Sequence, residues 1–201
     1  MARRDRRRRE KAEKKKKKGT ARVIFGWILC VVLLLALLFV FTPLVGANVR
    51  ITDGAMGPSL EIGDTVAVNR LAYLLMRPGR GDIIQFTISG EDGDAAHGED
   101  TTYLRRVIAL PGETVQIMDG LIYINGRALK ESYTSAPTSY RGIASSAMTL
   151  SNDEYFVLAD NRSNNFDSRD STVGPITRDN IVGKAWLRIL PLKKFGRING
   201  G

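Results

Sequence analysis

Thr114-Val115-Gln116-Ile117-Met118-Asp119-Gly120-Leu121-Ile122-Tyr123-Ile124 is the stretch whose reading decides the fold. Apolar residues alternate on both sides of its centre, Val115 and Ile117 before it and Ile122 and Ile124 after it. A period of two gathers such residues on one face of a strand. Asp119-Gly120 tolerates positive φ at both central positions of a type I′ turn, whose twist matches the strands it joins. A β-hairpin is therefore predicted, and Asn125-Gly126 directly after it predicts a second turn of the same kind.

Outward from the hairpin, short β-type runs recur at Thr65-Val66-Ala67-Val68, at Asp82-Ile83-Ile84-Gln85-Phe86, and over residues 155–158 and 181–189. Strands dominate residues 48–201, and no internal repeat interrupts them. The prediction is a mainly β domain, with a mixed sheet or a barrel-like closure.

The N-terminal side reads differently. The chain of 201 residues carries a formal charge of +9 and a pI near 9.9, which at first sight points to nucleic acid. Residues 1–22, however, hold thirteen Lys or Arg against three acidic residues, so of the 30 basic and 21 acidic residues seventeen and eighteen remain for the rest. The body is nearly neutral, and nucleic acid is not expected as a partner. Residues 23–41 contain no charge. As a helix they extend roughly 28 Å at about 1.5 Å per residue, close to the roughly 30 Å of a bilayer's hydrocarbon core.

A single transmembrane helix is therefore predicted over 23–45, with residues 1–22 as a cytoplasmic basic tail held inside by its charge and in contact with the lipid bilayer. The domain of residues 48–201 is then extracytoplasmic. The rival is a cleaved signal peptide, with the small residues Val45-Gly46-Ala47 at the cut. The apolar run exceeds the roughly 7–15 residues of a signal h-region, and Pro43 fits an exit from the bilayer. Cys30 is the one cysteine and lies inside the apolar run, so no disulfide framework forms within one chain. His97, the one histidine, sits in the acidic, Gly-rich segment 89–100 and reads as a solvated loop residue. No metal or other cofactor is expected.

Four segments carry a family likeness. Asp53-Gly54-Ala55-Met56-Gly57-Pro58-Ser59-Leu60 resembles the nucleophile segment of bacterial type I signal peptidases, the peptidase S26 family. Arg80-Gly81-Asp82-Ile83 and Tyr103-Leu104-Arg105-Arg106-Val107-Ile108-Ala109-Leu110-Pro111-Gly112-Glu113 are similar to the next two boxes. Asp160-Asn161-Arg162 with Asp167-Ser168-Arg169 resembles the last. Their order and spacing, after one apolar span, match the family. The resemblance implies a signal-peptidase-like β domain at a bacterial plasma membrane. Arg80-Gly81-Asp82 opens a β-run and is not read as an adhesive motif.

In that family a serine attacks the scissile carbonyl and a neutral lysine takes its proton, which requires a lysine whose pKa is lowered by desolvation. Aligned on the family boxes, the nucleophile position holds Ala55, and a methyl group cannot attack. The general-base position holds Arg105, whose guanidinium does not give up its proton. The serine that assists the lysine is replaced by Asn165. Asp53 stands near the oxyanion hole, where its charge opposes a developing oxyanion. Ala159 replaces the glycine that precedes the last box. No catalytic residue is intact on this alignment.

The resemblance then implies a catalytically silent, membrane-anchored homologue that binds secreted or surface-displayed precursors, pilin-like ones among the candidates, as an assembly factor that does not cut them. Met56, Pro58, Leu60 and Tyr103, with the stretch 71–76, are the candidates for peptide or lipid contact. Asp160, Arg162, Asp167 and Arg169 are expected as a structural charge cluster, not as an aspartic or metal site with Asp53. Arg105 is expected to fill the lysine's place and pair with Asp53 or Asp160. The alternative is an active signal peptidase, a serine-type endopeptidase whose dyad has moved, with Ser59 and one of Lys130, Lys184, Lys193 or Lys194 as its material.

Overall fold

The computed structural model describes residues 25–36, 47–88, 101–134 and 136–198. The chain divides into two units, Met1–Pro43 and Leu44–Gly201. In the first, residues 25–36 form an α-helix, α1, whose side chains, Cys30 included, are exposed. Twelve residues rise roughly 18 Å. Among the described residues no helix is long and apolar enough to cross a membrane. The remainder of the predicted span, the basic tail, His97 and the segment 89–100 lie outside the described residues.

The second unit is built on strands. In chain order they are β1 (Ala47–Arg50), β2 (Thr65–Asn69), β3 (Ile83–Ile88), β4 (Thr101–Ala109), β5 (Thr114–Met118), β6 (Leu121–Ile124), β7 (Arg127–Ala128), β8 (Met148–Thr149), β9 (Glu154–Leu158), β10 (Ile176–Thr177), β11 (Ile181–Leu190) and β12 (Gly196–Arg197). One sheet runs β1-β2-β11-β3-β4-β9-β10, with β12 on β11, and a smaller sheet runs β7-β6-β5-β8. Every pairing between these strands is antiparallel. The expected mainly β domain is present. The expected mixed sheet is not: neighbours run in opposite directions whether a tight turn joins them, as β5 and β6, or a long stretch of chain separates them, as β2 and β11. Nor does either sheet path close on itself among the described residues.

The deciding hairpin forms with Val115 opposite Ile124 and Met118 opposite Leu121. Asp119 and Gly120 have φ of 50° and 78°, and Asn125 and Gly126 have 51° and 76°, so both turns take the left-handed backbone that their residues favour. Val115, Ile117, Ile122 and Ile124 turn into one core with Ile108, Leu150, Phe156 and Leu158. The larger sheet buries two further clusters. Ile51, Met56, Leu60, Val66, Val68, Ile83, Leu104 and Ala185 make one of them. Tyr73, Ile84, Phe86, Val107, Tyr155, Val157, Ile176 and Ile181 make the other. Consecutive residues of β3 and β4 therefore serve different cores. That alternation sets Arg105 and Arg106 into different surroundings.

Candidate functional site

The loop between β1 and β2 is closed at its base by Ile51 N–H to the Asp64 carbonyl, 2.8 Å, and Gly63 N–H to the Ile51 carbonyl, 2.9 Å. Met56 and Leu60, both fully buried, pin it to the sheet beside Leu104, and Leu60 N–H donates to the Met56 carbonyl at 2.8 Å. Ala55, directly before Met56, has no exposed surface. Its carbonyl accepts Asn161 N–H at 2.9 Å, and the Gly54 carbonyl accepts the Asn161 side-chain amide at 3.2 Å. The loop holding Ala55 is thus tied to the segment of residues 159–169.

Asp53 links Ala55 with Arg105. One carboxylate oxygen accepts Ala55 N–H at 3.3 Å, and the other lies 3.7 Å from Arg105 Nη1. Arg105 is 1% exposed, whereas half of the Asp53 side chain remains open, 49%. Arg105 Nε donates to the Phe166 carbonyl at 2.8 Å and Nη1 to the Leu104 carbonyl at 2.7 Å, with the Tyr103 ring 5.7 Å away. Burial pulls the Arg105 pKa below its ordinary value, and the charges of Asp53 and Asp167 pull the other way. A guanidinium keeps its proton in proteins, so Arg105 is a donor and a charge here, not a base.

Of the two carboxylates expected to meet Arg105, Asp53 does so, and Asp160 is taken by the next residue. Arg106 and Asp160, both buried, form a fork of two bonds, 2.7 and 2.6 Å. Arg106 also donates to the Gly81 carbonyl at 2.8 Å and to Ser59 Oγ at 3.1 Å, and stacks 4.1 Å from the centre of the Tyr133 ring. Asp167 accepts Arg169 Nε at 2.9 Å and Nη2 at 2.7 Å, while also accepting Ala159 N–H at 3.0 Å. Arg162 reaches Glu131 through Nη1 at 3.0 Å and donates Nε to the Ala159 carbonyl at 3.1 Å. Asp160, Arg162, Asp167 and Arg169 are all buried. Each charge within this cluster has an opposite charge beside it, which a buried ion requires.

The remaining candidates separate. Asn165 is exposed, and its carbonyl accepts Asp167 N–H at 2.9 Å; the neighbouring Phe166, not Asn165, supplies the carbonyl that meets Arg105. Met56 and Leu60 are core, with no surface for a peptide, while Pro58 is exposed. Tyr103 is half-buried between Phe86 and Phe166, its ring centre 6.0 and 4.6 Å from theirs. In the stretch 71–76, Tyr73 is buried and Leu74 and Met76 are exposed. Ser59 faces Arg106, not a lysine. Lys184 pairs with Asp82 and Lys194 with Glu61, Lys130 and Lys193 are exposed, and no lysine among the described residues is buried. Also among the described residues, no three His, Cys, Asp or Glu side chains gather as a metal site.

Reading the sequence missed Glu131, Tyr133 and Phe166. The first two lie in irregular chain with no periodicity to mark them. Phe166 contributes a carbonyl, which every residue type offers, so its identity gave no signal.

The loop holding Ala55, the segment Asp160-Asn161-Arg162 and Arg105 of β4 are thus joined by one set of contacts. Residues 24–190 match the signal peptidase family, peptidase S26, and the chain belongs to that family. It is similar to "Signal peptidase I" of Leptolyngbya laminosa, 35% identical over 148 residues that cover 74% of this chain and 70% of the relative. "Probable signal peptidase I-2" of Synechocystis is 33% identical over 73% of this chain, which spans 64% of that relative's length. "Signal peptidase I T" of Bacillus subtilis is 32% identical over 85% of this chain and 86% of the relative. Among solved structures, a signal peptidase I from Enterococcus faecalis V583 is 30% identical and covers 54% of this chain and 97% of its own, with a TM-score of 0.41.

Proposed function

We propose that this chain is a catalytically silent member of the signal peptidase family, held at a bacterial plasma membrane, that binds secreted or surface-displayed precursor polypeptides without cutting them. The observation that carries the reading is the pair Ala55 and Arg105 at the nucleophile and base positions of the family boxes. A hydroxyl and a neutral amine are both needed for the family's chemistry, and a methyl group and a buried guanidinium supply neither. Losing a working member of such a unit costs on the order of a million-fold in rate. The absence of any buried lysine among the described residues supports the same reading, because a lysine base needs desolvation.

Binding does not need the dyad. Extended polypeptides are held by main-chain hydrogen bonds and side-chain pockets, both of which survive the loss of a nucleophile. Pilin-like precursors are the candidates we favour among surface-displayed chains. The test is capture: the full chain, reconstituted in membranes, is mixed with precursors carrying intact signal peptides and with the same proteins lacking them. Recovery of uncut precursor, selective for the signal peptide, is expected. Equal recovery of both forms would sink the reading.

The second reading, an active signal peptidase with a displaced dyad, is favoured by family membership itself. It requires a serine hydroxyl and a neutral lysine to come within hydrogen-bond reach. Hydrolysis by the purified native chain, lost on Ser59→Ala, would establish it.

A further inference from the structure

Away from the family boxes' charge cluster, the smaller sheet carries a cleft of about 440 Å3 lined by Arg80, Glu113, Asn125, Arg127, Ala128 and Lys130. Three of these residues are cationic and one is a carboxylate. The carboxylate is already engaged: both Glu113 oxygens accept from Arg80 Nη2, 2.6 and 2.8 Å, and one also accepts the Leu110 N–H at 2.7 Å. Arg127 and Lys130 are exposed and have no ion-pair partner among the described residues. Asn125 spends its side-chain oxygen on Thr114 N–H, 2.9 Å, which leaves its amide N–H groups as donors. The cleft thus presents two unneutralised cations and further donors.

The backbone adds a second feature. β7 is the end strand of its sheet. Ala128 lies opposite Tyr123, and Leu129 N–H donates to the Ile122 carbonyl at 2.8 Å. In an antiparallel ladder the hydrogen-bonded and non-hydrogen-bonded pairs alternate, so the Ala128 N–H and C=O point away from β6, to the open edge. An exposed edge of this kind is a template for another extended chain.

We propose that this cleft docks an extended acidic polypeptide segment, which adds to the β7 edge at Ala128 and sets its carboxylates against Arg127 and Lys130. A small inorganic anion would use the cations alone and leave the paired donor and acceptor of Ala128 unused. A peptide matches both. The cleft shares no lining residue with the Ala55–Arg105 site, and the proposal does not depend on that site's function.

The test reads the exchange of the Ala128 amide with deuterated solvent in the full-length chain, so that peptide held by the basic tail does not register. The probe is hexaglutamate. Saturating probe at low salt is expected to slow Ala128 exchange by about tenfold or more, with the effect fading as salt screens the charges. The Arg127→Glu, Lys130→Glu double variant, altered only at exposed positions, is expected to show no slowing. Hexaglutamate N-methylated on every residue keeps its charge, but it has no donor for the Ala128 carbonyl and its N-methyl groups clash with an adjoining strand, so it too is expected to leave Ala128 unprotected. Unchanged Ala128 exchange at saturating hexaglutamate would overturn the proposal, as would protection that persists in the charge-reversed variant. Equal protection by the N-methylated probe or by inorganic phosphate would overturn it too, reducing the cleft to a contact for any anion.

Discussion

At the scale of single residues, stability should concentrate in the buried charges. Arg106 and Asp160 are 0% and 1% exposed and share two bonds, so Asp160→Asn removes a charge and leaves a guanidinium without its counter-ion. Breaking such a pair costs about 3–5 kcal/mol. Equilibrium urea denaturation of the variant should show that loss, and a change under about 1 kcal/mol would mean the pair is wetter than described. Tyr73 and Tyr133 give a pH dependence. Burial first, then Asp82 for Tyr73 and Glu131 for Tyr133, pushes both phenols well above their ordinary 10.0. The sign follows: in the unfolded chain the phenols ionise from about pH 10, while the fold retains their protons. Their contribution is complete below about pH 10 and is lost as pH climbs toward the raised folded values. Thermal midpoints should therefore fall above about pH 10, and Tyr73→Phe, which cannot ionise, should flatten part of that fall.

At the scale of elements, the contact of β2 with β11 depends on Gly183. A Cβ there would stand 2.7 Å from the Asn69 carbonyl oxygen and 2.9 Å from Val68 Cγ1, so Gly183→Ala must push the two strands apart. Overpacking of this kind costs about 1–3 kcal/mol, to be read as a lowered denaturation midpoint. The elements also divide by how visible they were in the sequence. The β5–β6 hairpin was legible because its alternation and its Asp-Gly turn state the same structure twice. β4 was visible only as a family box: Arg105 and Arg106 break its apolar alternation, since buried guanidinium groups mimic solvent-facing residues until their partners are known. β1 is Ala47-Asn48-Val49-Arg50, too short and too polar to announce a strand, and takes its structure from pairing with β2. The site divides likewise. The family likeness marked the residues 160–169, whereas Glu131 and Tyr133 reach them only through tertiary folding. Met56 and Leu60 show the converse: read as candidates for peptide contact, they are buried and anchor their loop to the sheet.

At the scale of the whole molecule, a basic tail and an apolar segment precede a β domain of the signal peptidase family, and the proposed function puts Ala55 and Arg105 at its reactive positions. The tail and apolar segment predict that the chain sediments with membranes and resists extraction by high salt, and that protease applied from outside intact cells degrades the β domain. Release by salt alone would contradict the anchor. The central claim concerns chemistry, and a cleavage assay reaches it most directly. The native full-length chain and its Ala55→Ser, Arg105→Lys double variant are incubated side by side with a precursor carrying a signal peptide, and the products are resolved by mass. A silent site predicts no cleavage by the native chain; cleavage regained by the double variant would show that the surroundings of the two positions still accept a substrate. Cleavage by the native chain at the authentic signal-peptide junction would contradict it.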